Sequence, residues 1–243
     1  MTRKQLDPEE LATAVQDHEV HLASACRRGR NLELTSVDLR QAKLTGLDLA
    51  GCALIDCDLR DVDLTGVDFY HSWLSGSLLD GAALRGADLR KTDLTGVSAR
   101  GADLGGASLF RTWAPDADFR AADLSRTDLG YAELLGADLR GAHFEEADFD
   151  QTWLSQAVFG ADSWASAFKG AQGNVAVWGD DLTLSGPKGN RALGLIEFVA
   201  TVNANGARLR VRDDAEARPE REHKWRWGPL PYEVKTPPPV GGS

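Results

Sequence analysis

The chain has 243 residues, an apolar content of 42% and a formal net charge of −10 at pH 7. The negative charge argues against non-specific binding to nucleic acid or to an anionic membrane. No apolar run reaches the roughly 18 residues that a membrane span needs, and the N-terminus is polar, so we expect neither a span nor a signal peptide. Three cysteines are too few and too irregular for a disulfide framework. We therefore expect a cytoplasmic protein.

Residues 7–25 are predicted to form a helix. Asp7 is a suitable N-cap, Pro8 is favoured at the first helical position, and Glu10 completes the spacing of a capping box. The first coil of a solenoid exposes an apolar end that needs cover. We therefore expect residues 1–31 to form an N-terminal capping helix for the repeat that follows.

Leu or Phe recurs every five residues from position 34 to position 159. These 26 positions hold 19 Leu, five Phe and two Ala, without a single insertion. A short residue usually lies two positions earlier and Asp directly before, as in the Ala-Asp-Leu runs at 87–89, 102–104 and 122–124. Neither the helical period of 3.6 nor the strand period of 2 fits this pattern. A fixed short period predicts a solenoid.

Twenty residues make a natural coil of four five-residue sides, with neighbouring coils about 4.8 Å apart. The Leu or Phe and the short residue before it then point inward. The tandem Ala-Asp-Leu-x-Gly motifs over residues 32–164 resemble the pentapeptide-repeat family. This resemblance implies an all-β solenoid, a right-handed quadrilateral β-helix, here of about 6.5 coils. Because the family serves many purposes, the fold alone does not specify a function.

The 20-residue period sorts the outward residues into four faces. The Trp face carries Trp73, Trp113 and Trp153 among mostly apolar neighbours. The Asp/Arg face is largely self-neutralised, since Asp38, Asp58, Asp118 and Asp138 each precede an Arg by two residues. The other two faces hold most of the unbalanced negative charge. The Asp63 face carries Asp63, Asp103 and Asp123, and the Asp48 face carries Asp48, Asp68, Asp88, Asp128 and Asp148.

The period fails after Phe159, because Lys169 falls where Leu is expected. Residues 174–184 are predicted to form a short hairpin. Residues 195–212 alternate apolar and polar side chains around an Asn-Gly turn, which favours a second β-hairpin. A helix over 191–203 is the alternative, since its apolar residues also share a helical face.

We therefore predict a small C-terminal appendage, β or α+β, over residues 165–235. Residues 236–243, with the sequence TPPPVGGS, are predicted to be a disordered tail.

A convex rod with a solid core offers no concavity with convergent polar groups, so catalysis is not expected. Cys52 and Cys57 occupy inward positions without a nearby His or Cys, and we interpret them as buried structural thiols. No cofactor or metal is predicted. An enzymatic alternative would place a pocket in the appendage, near residues such as Asp180, Glu197 and His223.

The charge of the repeat suggests a partner. Residues 33–164 contain 23 acidic and 11 basic side chains, a net charge of −12. Spread over about 31 Å, this is roughly one charge per 2.6 Å, compared with one per about 1.7 Å in B-DNA. Qnr-type members of the family are understood to act as DNA mimics on DNA gyrase and topoisomerase IV. The resemblance thus implies binding of a type II topoisomerase, antibiotic protection and no direct nucleic-acid binding.

Two observations oppose this interpretation. An Asp at a corner of the coil can simply hydrogen-bond nearby backbone amides. The Qnr-type rods also carry projecting loops, and residues 34–159 have none. The alternative function is a generic interaction scaffold or effector module with its specificity in the C-terminal appendage.

The Trp face also has two interpretations. A row of aromatic side chains on a rod is typical of a partner or homodimer surface. Alternatively, residues 165–243 fold back and cover it. In some family members a C-terminal element mediates dimerisation, and residues 195–212 are the candidate here.

Overall fold

A computed structural model describes residues 3–25, 28–160, 164–176, 182–186 and 189–211. In these ranges the chain forms the α-helices α1 (Pro8–Ala23) and α2 (Leu195–Ala204), and a 3₁₀ helix spans Trp164–Phe168. Ten strands follow the chain order: β1 (Lys4–Gln5), β2 (Glu33–Thr35), β3 (Val37–Asp38), β4 (Ala53–Ile55), β5 (Thr152–Trp153), β6 (Val158–Gly160), β7 (Gln172–Ala176), β8 (Leu182–Gly186), β9 (Gly189–Leu193) and β10 (Arg208–Val211). Within these ranges no helix is long and apolar enough to cross a membrane.

The predicted N-terminal helix is confirmed as α1. The Asp7 carboxylate accepts a hydrogen bond from the backbone N–H of Glu9 at 2.8 Å, which caps the helix. Leu11 and Val15 pack against the core of the repeat. His18 is fully buried, and its Nδ1 accepts the backbone N–H of Leu32 at 3.2 Å. The helix therefore lies against the first residues of the repeat; its role as a cap stays a prediction.

The repeat stacks with a period of 20 residues. Isolated parallel bridges join residues 20 apart throughout, such as Asp48 to Asp68 and Asp68 to Asp88. From Leu49 to Leu139 the backbone N–H of each central residue donates to a carbonyl 19 residues later, as Leu89 does to Ser108 at 2.8 Å. The named strands are short and form four sheets of two or three strands. The result is a β-helix-like stack in which backbone groups pair between successive turns of the chain.

The core of this stack follows the sequence pattern closely. The Leu and Phe positions are buried from Leu39 to Phe159, and the short residues two positions earlier are buried with them over most of this span. Leu34 and Leu47, near the start, are only partly buried. The inward positions were therefore predicted correctly from the five-residue period, whereas several outward positions, such as Trp73 and Glu133, are also buried. The count of about 6.5 coils stays a prediction.

The five-residue period fails after Phe159 because four extra residues are inserted into the repeat. The bridge from Asp148 reaches Gln172, 24 residues on rather than 20. The 3₁₀ helix takes up the extra residues and brings Phe168 into the core, where its ring stacks on Phe144 with centroids 4.7 Å apart. The stack therefore continues past the point where the sequence pattern breaks.

The predicted hairpin over residues 174–184 is wrong. β7 pairs in parallel with β5 and β10, whereas β8 pairs in parallel with β6 and antiparallel with β9. The exposed edges of β5 and β6 at the end of the stack offer unpaired backbone groups, and each new strand extends one of them. The antiparallel partner of β8 is the following strand instead.

The predicted hairpin over residues 195–212 is also wrong, and the helical alternative over 191–203 is correct in type but not in its start, because residues 191–193 belong to β9. α2 occupies Leu195–Ala204 and only β10 is a strand. Phe198 and Val202, four residues apart, are fully buried, and the Phe198 ring lies 5.2 Å from Phe159 and 5.4 Å from Phe168. The aromatic rings at this end of the core therefore favour a helix, because residues four apart on a helix face the same side. Gly206, with φ of 95°, lies just after the helix instead of in a hairpin turn.

The predicted boundaries at residues 32, 165 and 236 stay predictions. The tail at 236–243 lies outside the described residues, as do Cys26 and residues 177–181.

Candidate interaction surfaces

The aspartates of the two acidic faces share one backbone role. In each of the eight, Oδ1 accepts the backbone N–H of the residue two positions later, at 2.7–3.1 Å. This bond satisfies a donor at a corner of the coil. The eight are Asp48, Asp63, Asp68, Asp88, Asp103, Asp123, Asp128 and Asp148. Each carboxylate therefore helps to form its turn. Whether it also carries an unpaired charge depends on the contacts of its second oxygen.

The Asp48 face is a ladder of carboxylates. Asp48, Asp68 and Asp88 are bridged in succession, and Asp128 is bridged to Asp148, with Ser108 between the two groups. Burial and the neighbouring carboxylates of Asp88 and Asp48 raise the pKa of Asp68, against the backbone hydrogen bond from Tyr70. Asp88 is ion-paired with Arg90. Among the described residues, the other four form no ion pair within 4 Å.

The Asp63 face is less uniformly negative than the sequence indicates. Arg85 reaches Asp103 at 2.5 Å and Asp123 at 3.9 Å, so one arginine bridges two of the three predicted site residues. Its Nε–carboxylate contact spans nearly one coil of the stack. Asp63 has no ion pair in the part of the chain that the structure describes. The concentration of unpaired carboxylates is therefore greater on the Asp48 face.

The Asp/Arg face is neutralised, as predicted. Arg60 contacts Asp58 at 2.6 Å, and Asp118 is contacted by Arg120 at 2.7 Å and by Arg100 at 2.6 Å. Partial burial would raise the pKa of Asp118, but the hydrogen bonds from Arg120 and Arg100 outweigh it and hold the pKa at about 2. This face therefore presents bound ion pairs rather than unpaired charge.

A ridge of cationic and aromatic side chains lies along the edge of the Asp48 face. This ridge was not predicted from the sequence. Lys91 Nζ donates to the Tyr70 hydroxyl at 2.9 Å, and Arg111 lies over the rings of Phe110 and Tyr131 at 5.4 Å from each centroid. His71, Lys91, Arg111 and Tyr131 are spaced by 20 residues. The 20-residue spacing of these corner positions is the signal in the sequence that indicates the ridge. Its cations reduce the negative potential in the middle of the Asp48 face.

The Trp face is more buried than expected for an aromatic surface row. Trp73 and Trp153 are each 8% exposed, and Trp113 is half-buried. Asp93 and Glu133 lie between them, because bridges link Trp73 to Asp93, Asp93 to Trp113, Trp113 to Glu133 and Glu133 to Trp153. The face therefore alternates tryptophan and carboxylate along the stack, and its tryptophans are not freely presented to solvent.

Cys52 and Cys57 are free and buried within the stack. Burial raises the pKa of the Cys52 thiol to about 12 and that of Cys57 to about 11, so both are poor nucleophiles. The described residues contain no group of three His, Cys, Asp or Glu side chains that could hold a metal ion. Of the residues proposed for a C-terminal pocket, Asp180 and His223 lie outside the described residues, and Glu197 is ion-paired with Arg191.

Two clefts lie near α1. One, of about 530 Å³, is lined by polar residues that include Glu9, Asp17 and Arg30. The other, of about 450 Å³, is largely apolar and lies between α1 and residues 38–47. A third cleft, of about 400 Å³, lies at the C-terminal end of the Asp48 face and is lined by Asp148, Asp150, Asn174, Arg208 and Arg210, among others.

These features define a class of protein: a β-helix-like repeat scaffold with chemically distinct side faces. A family model described as pentapeptide repeats matches in eight copies, over residues 33–70, 42–81, 74–112 and 114–159. The matches cover just over half of the chain. The chain belongs to the pentapeptide repeat family, whose fold is a right-handed β-helix and whose members are generally structural or interaction proteins.

The chain is also similar to proteins of known structure. HetL, a pentapeptide repeat protein involved in heterocyst differentiation regulation from the cyanobacterium Nostoc sp. strain PCC 7120, is 28% identical, with 69% of this chain and 85% of HetL covered and a TM-score of 0.35. Full-length QnrB1, a plasmid-mediated fluoroquinolone resistance protein, is 17% identical, with 75% of this chain and 92% of QnrB1 covered and a TM-score of 0.29. No curated protein matches. Because both TM-scores are low, the assignment rests on the family match.

Proposed function

We propose that the chain is a non-enzymatic interaction protein whose Asp48 face binds a basic, DNA-binding groove of a partner protein. The carrying observation is the ladder formed by Asp48, Asp68, Asp128 and Asp148, which form no ion pairs with other described residues. Within each of the pairs Asp48–Asp68 and Asp128–Asp148 the carboxylates lie one coil, about 4.8 Å, apart along the rod, and three coils separate the two pairs. The axial spacing between phosphates of one DNA strand is about 3.4 Å. A groove that is built for a phosphate backbone would find a similar row of charges here.

The most concrete version is a DNA mimic that binds a type II topoisomerase, DNA gyrase or topoisomerase IV, and protects it from inhibitors. This version extends the resemblance to Qnr-type members of the family. Its physical basis is that a protein neutralising several phosphates gains affinity from each Lys or Arg contact, and loses it steeply as salt rises. The same dependence on salt is expected for a protein that replaces DNA with carboxylates.

The test is a gyrase supercoiling assay, with and without the purified protein, in the absence and presence of a quinolone-type poison. We expect the protein to compete with DNA at low salt, to restore supercoiling in the presence of the poison, and to lose both effects as the salt concentration rises. No change in either assay at micromolar concentration would exclude the topoisomerase version.

A matched pair of variants tests the face. Asp128→Asn with Asp148→Asn removes two charges from the Asp48 face and retains an oxygen that can accept the corner N–H. Asp56→Asn with Asp116→Asn removes two charges at corners outside both acidic faces. Both of these corner residues have positive φ, which Asn tolerates. In the supercoiling assay we expect the first variant to need an about tenfold higher concentration than the parent for the same effect, which corresponds to a loss of about 1.4 kcal/mol in binding free energy. The second variant should behave like the parent.

A second candidate function places the specificity in the C-terminal appendage, predicted at residues 165–235. The supporting observation is Ile196 on α2, a large apolar side chain that is 78% exposed. Such a residue is suited to a contact with another protein or a second copy of the chain. If Ile196→Asp abolishes partner capture or dimerisation and the Asp128→Asn/Asp148→Asn variant does not, this candidate replaces the first.

A further inference from the structure

The first coil of the stack has two strand edges that point away from the rest of the repeat. The edge of β3 is paired, because β1 lies alongside it in parallel with Lys4 opposite Val37. β2 pairs with β4 on one side, and in the described part of the chain no strand pairs with its other edge. An open edge exposes backbone donors and acceptors to which another extended segment can pair.

The backbone groups at this open edge belong to Glu33 and Thr35. The Leu32 carbonyl accepts a hydrogen bond from β4 at 2.8 Å, and the Ser36 N–H donates one to β4 at 2.9 Å. Successive residues of a strand direct their N–H and C=O groups to opposite sides, so those of Glu33 and Thr35 point away from β4. Both residues are exposed, and within the described residues neither makes a backbone hydrogen bond on that side. The edge can therefore accept one more strand.

Helix α1 forms the opposite wall of this edge. The cleft of about 530 Å³ lies between the first half of α1, from Glu9 to Asp17, and residues 30–34. The Arg30 N–H donates to the Asp17 carbonyl at 3.3 Å, which holds the chain that leads into β2 against the helix. A cleft between a helix and a strand edge suits an extended peptide, which adds a strand to the sheet and contacts the helix with its side chains.

The charge of the cleft selects the kind of peptide. Glu9, Glu10, Asp17 and Glu33 line it together with a single cation, Arg30. Among the described residues none of these five side chains forms an ion pair within 4 Å. Partial burial raises the pKa of the Glu33 carboxyl, and no cation offsets this effect. Lysine or arginine side chains would complement the cleft, whereas an acidic segment would be repelled.

The neighbouring edge shows that this end of the stack accepts a segment of that kind. The strand that pairs with β3 is short and extended, begins at Lys4 and follows Arg3. Arg3 Nε donates to the backbone carbonyl of Asp56 at 2.6 Å. Because this N-terminal segment is already held by β3, a different segment must supply a strand for β2.

We propose that the cleft between α1 and β2 binds an extended segment of a partner protein that is rich in lysine or arginine. The segment pairs through its backbone with Glu33 and Thr35 and places its cations beside the carboxylates of α1. The residues of this site belong to α1 and to the first coil, and none of them lies on the Asp48 face. The proposal thus goes beyond the proposed function and does not depend on it.

Fluorescence polarisation with the full chain and labelled peptides tests the proposal. The probe is a short peptide that alternates lysine with valine. Two controls carry N-methyl groups either on the lysine amides or on the valine amides, so both retain the charge. Only one of these sets of amides can face β2, so we expect one control to bind about tenfold more weakly and the other to bind like the probe. A peptide with glutamate in place of lysine should not bind.

These peptides also define the results that would overturn the proposal. Equal binding of the probe and both N-methylated peptides would show that charge alone attracts the probe to an acidic protein. Equal weakening of both would show that the probe does not bind as a strand. Binding of the glutamate peptide would show that the carboxylates of the cleft do not select the partner.

Variants of the chain then locate the site. Thr35→Pro removes an N–H from the open edge and no bond to β4, and proline is tolerated on such an edge. Asp17→Lys reverses a charge in the cleft, whereas Glu19→Lys makes the same kind of change on α1 at the other cleft. We expect the first two variants to bind the probe several-fold more weakly. Glu19→Lys and the Asp128→Asn/Asp148→Asn variant should bind like the parent.

Circular dichroism confirms that each variant is folded, and the N-methylated peptides test the strand pairing even if Thr35→Pro does not fold. Loss of binding only in the Asp128→Asn/Asp148→Asn variant would place the probe on the Asp48 face. A dimer in sedimentation that the probe dissociates would show that a second copy of the chain occupies the cleft. Either result overturns the proposal, and the gyrase assay tests the proposed function separately.

Discussion

The Asp/Arg face and the Asp48 face use aspartate in the same way and yet differ in electrostatics. The Asp118 carboxylate accepts the N–H of Arg120 at 3.2 Å, and the Asp128 carboxylate accepts the N–H of Gly130 at 2.9 Å. The two aspartates therefore have the same role in their turns. The difference lies in the residue two positions later, which is arginine in one case and glycine in the other.

This difference determines whether the aspartate is ion-paired or carries an unpaired charge. On the Asp/Arg face, arginine hydrogen bonds hold the pKa of Asp118 at about 2 despite partial burial. On the Asp48 face, burial and neighbouring carboxylates raise the pKa of Asp68. An aspartate that the repeat requires for its corner thus becomes a candidate for recognition only where no cation takes its second oxygen.

The largest expected effect comes from the core that both faces share. Leu89 is 1% exposed, and its neighbour Asp88 points outward. Leu89→Asp places an unpaired charge inside the stack, which costs several kcal/mol, and should abolish soluble, folded protein. Asp88→Asn, one residue away, should remain folded. Circular dichroism and thermal unfolding distinguish them; a folded Leu89→Asp protein would contradict the assignment of inward and outward positions.

The next effect compares the two faces directly. Asp118→Asn removes the charged acceptor for Arg120 and Arg100 and should lower the free energy of unfolding by about 1 kcal/mol, since these ion pairs are partly screened by solvent. Asp128→Asn should change it by less than about 0.5 kcal/mol. Urea unfolding at pH 7 measures both, and equal losses would mean that the ion pairs of Asp118 add no stability beyond that of an unpaired aspartate at a corner.

Acid should remove the stability that the ion pairs of Asp118 contribute. The pKa of Asp118 is about 2 in the folded protein, below its value of 3.8 in the unfolded chain. Its stabilising contribution is therefore complete above about pH 4 and is lost as the pH falls through 2. Urea unfolding between pH 5 and 2 should show a smaller decline for Asp118→Asn than for the parent protein. Parallel declines would show that other carboxylates dominate acid unfolding.

The smallest effect has the opposite sign. The pKa of Asp68 is raised in the folded protein, so its charged form is disfavoured at neutral pH. Asp68→Asn keeps an acceptor for the Tyr70 N–H and removes the repulsion from Asp48 and Asp88. It should raise the free energy of unfolding at pH 7 by a few tenths of a kcal/mol. Asp63→Asn is the control, because its carboxylate has no bridged acidic neighbour at 83. A loss of stability would contradict the repulsion on the Asp48 face.

The sequence by itself determined the stack and the residues inside it. A five-residue period places Leu89 and its equivalents inward whatever the rest of the chain does, and the 20-residue multiple assigns Asp118 and Asp128 to different faces. Even the pairing of Asp118 with Arg120 could be read from their spacing. These features are local, so they follow from the repeat.

The tertiary structure decided what happens where groups from different coils or from outside the repeat meet. Arg85 neutralises Asp103 and Asp123 because stacking brings residues 18 and 38 positions away within its reach. Phe198 and Val202 form a helix rather than a strand because Phe159 and Phe168 offer an aromatic surface that only the helical spacing fits. Side-chain contacts over such distances depend on packing and not on the period, which is why the faces were predictable and their final charge and burial were not.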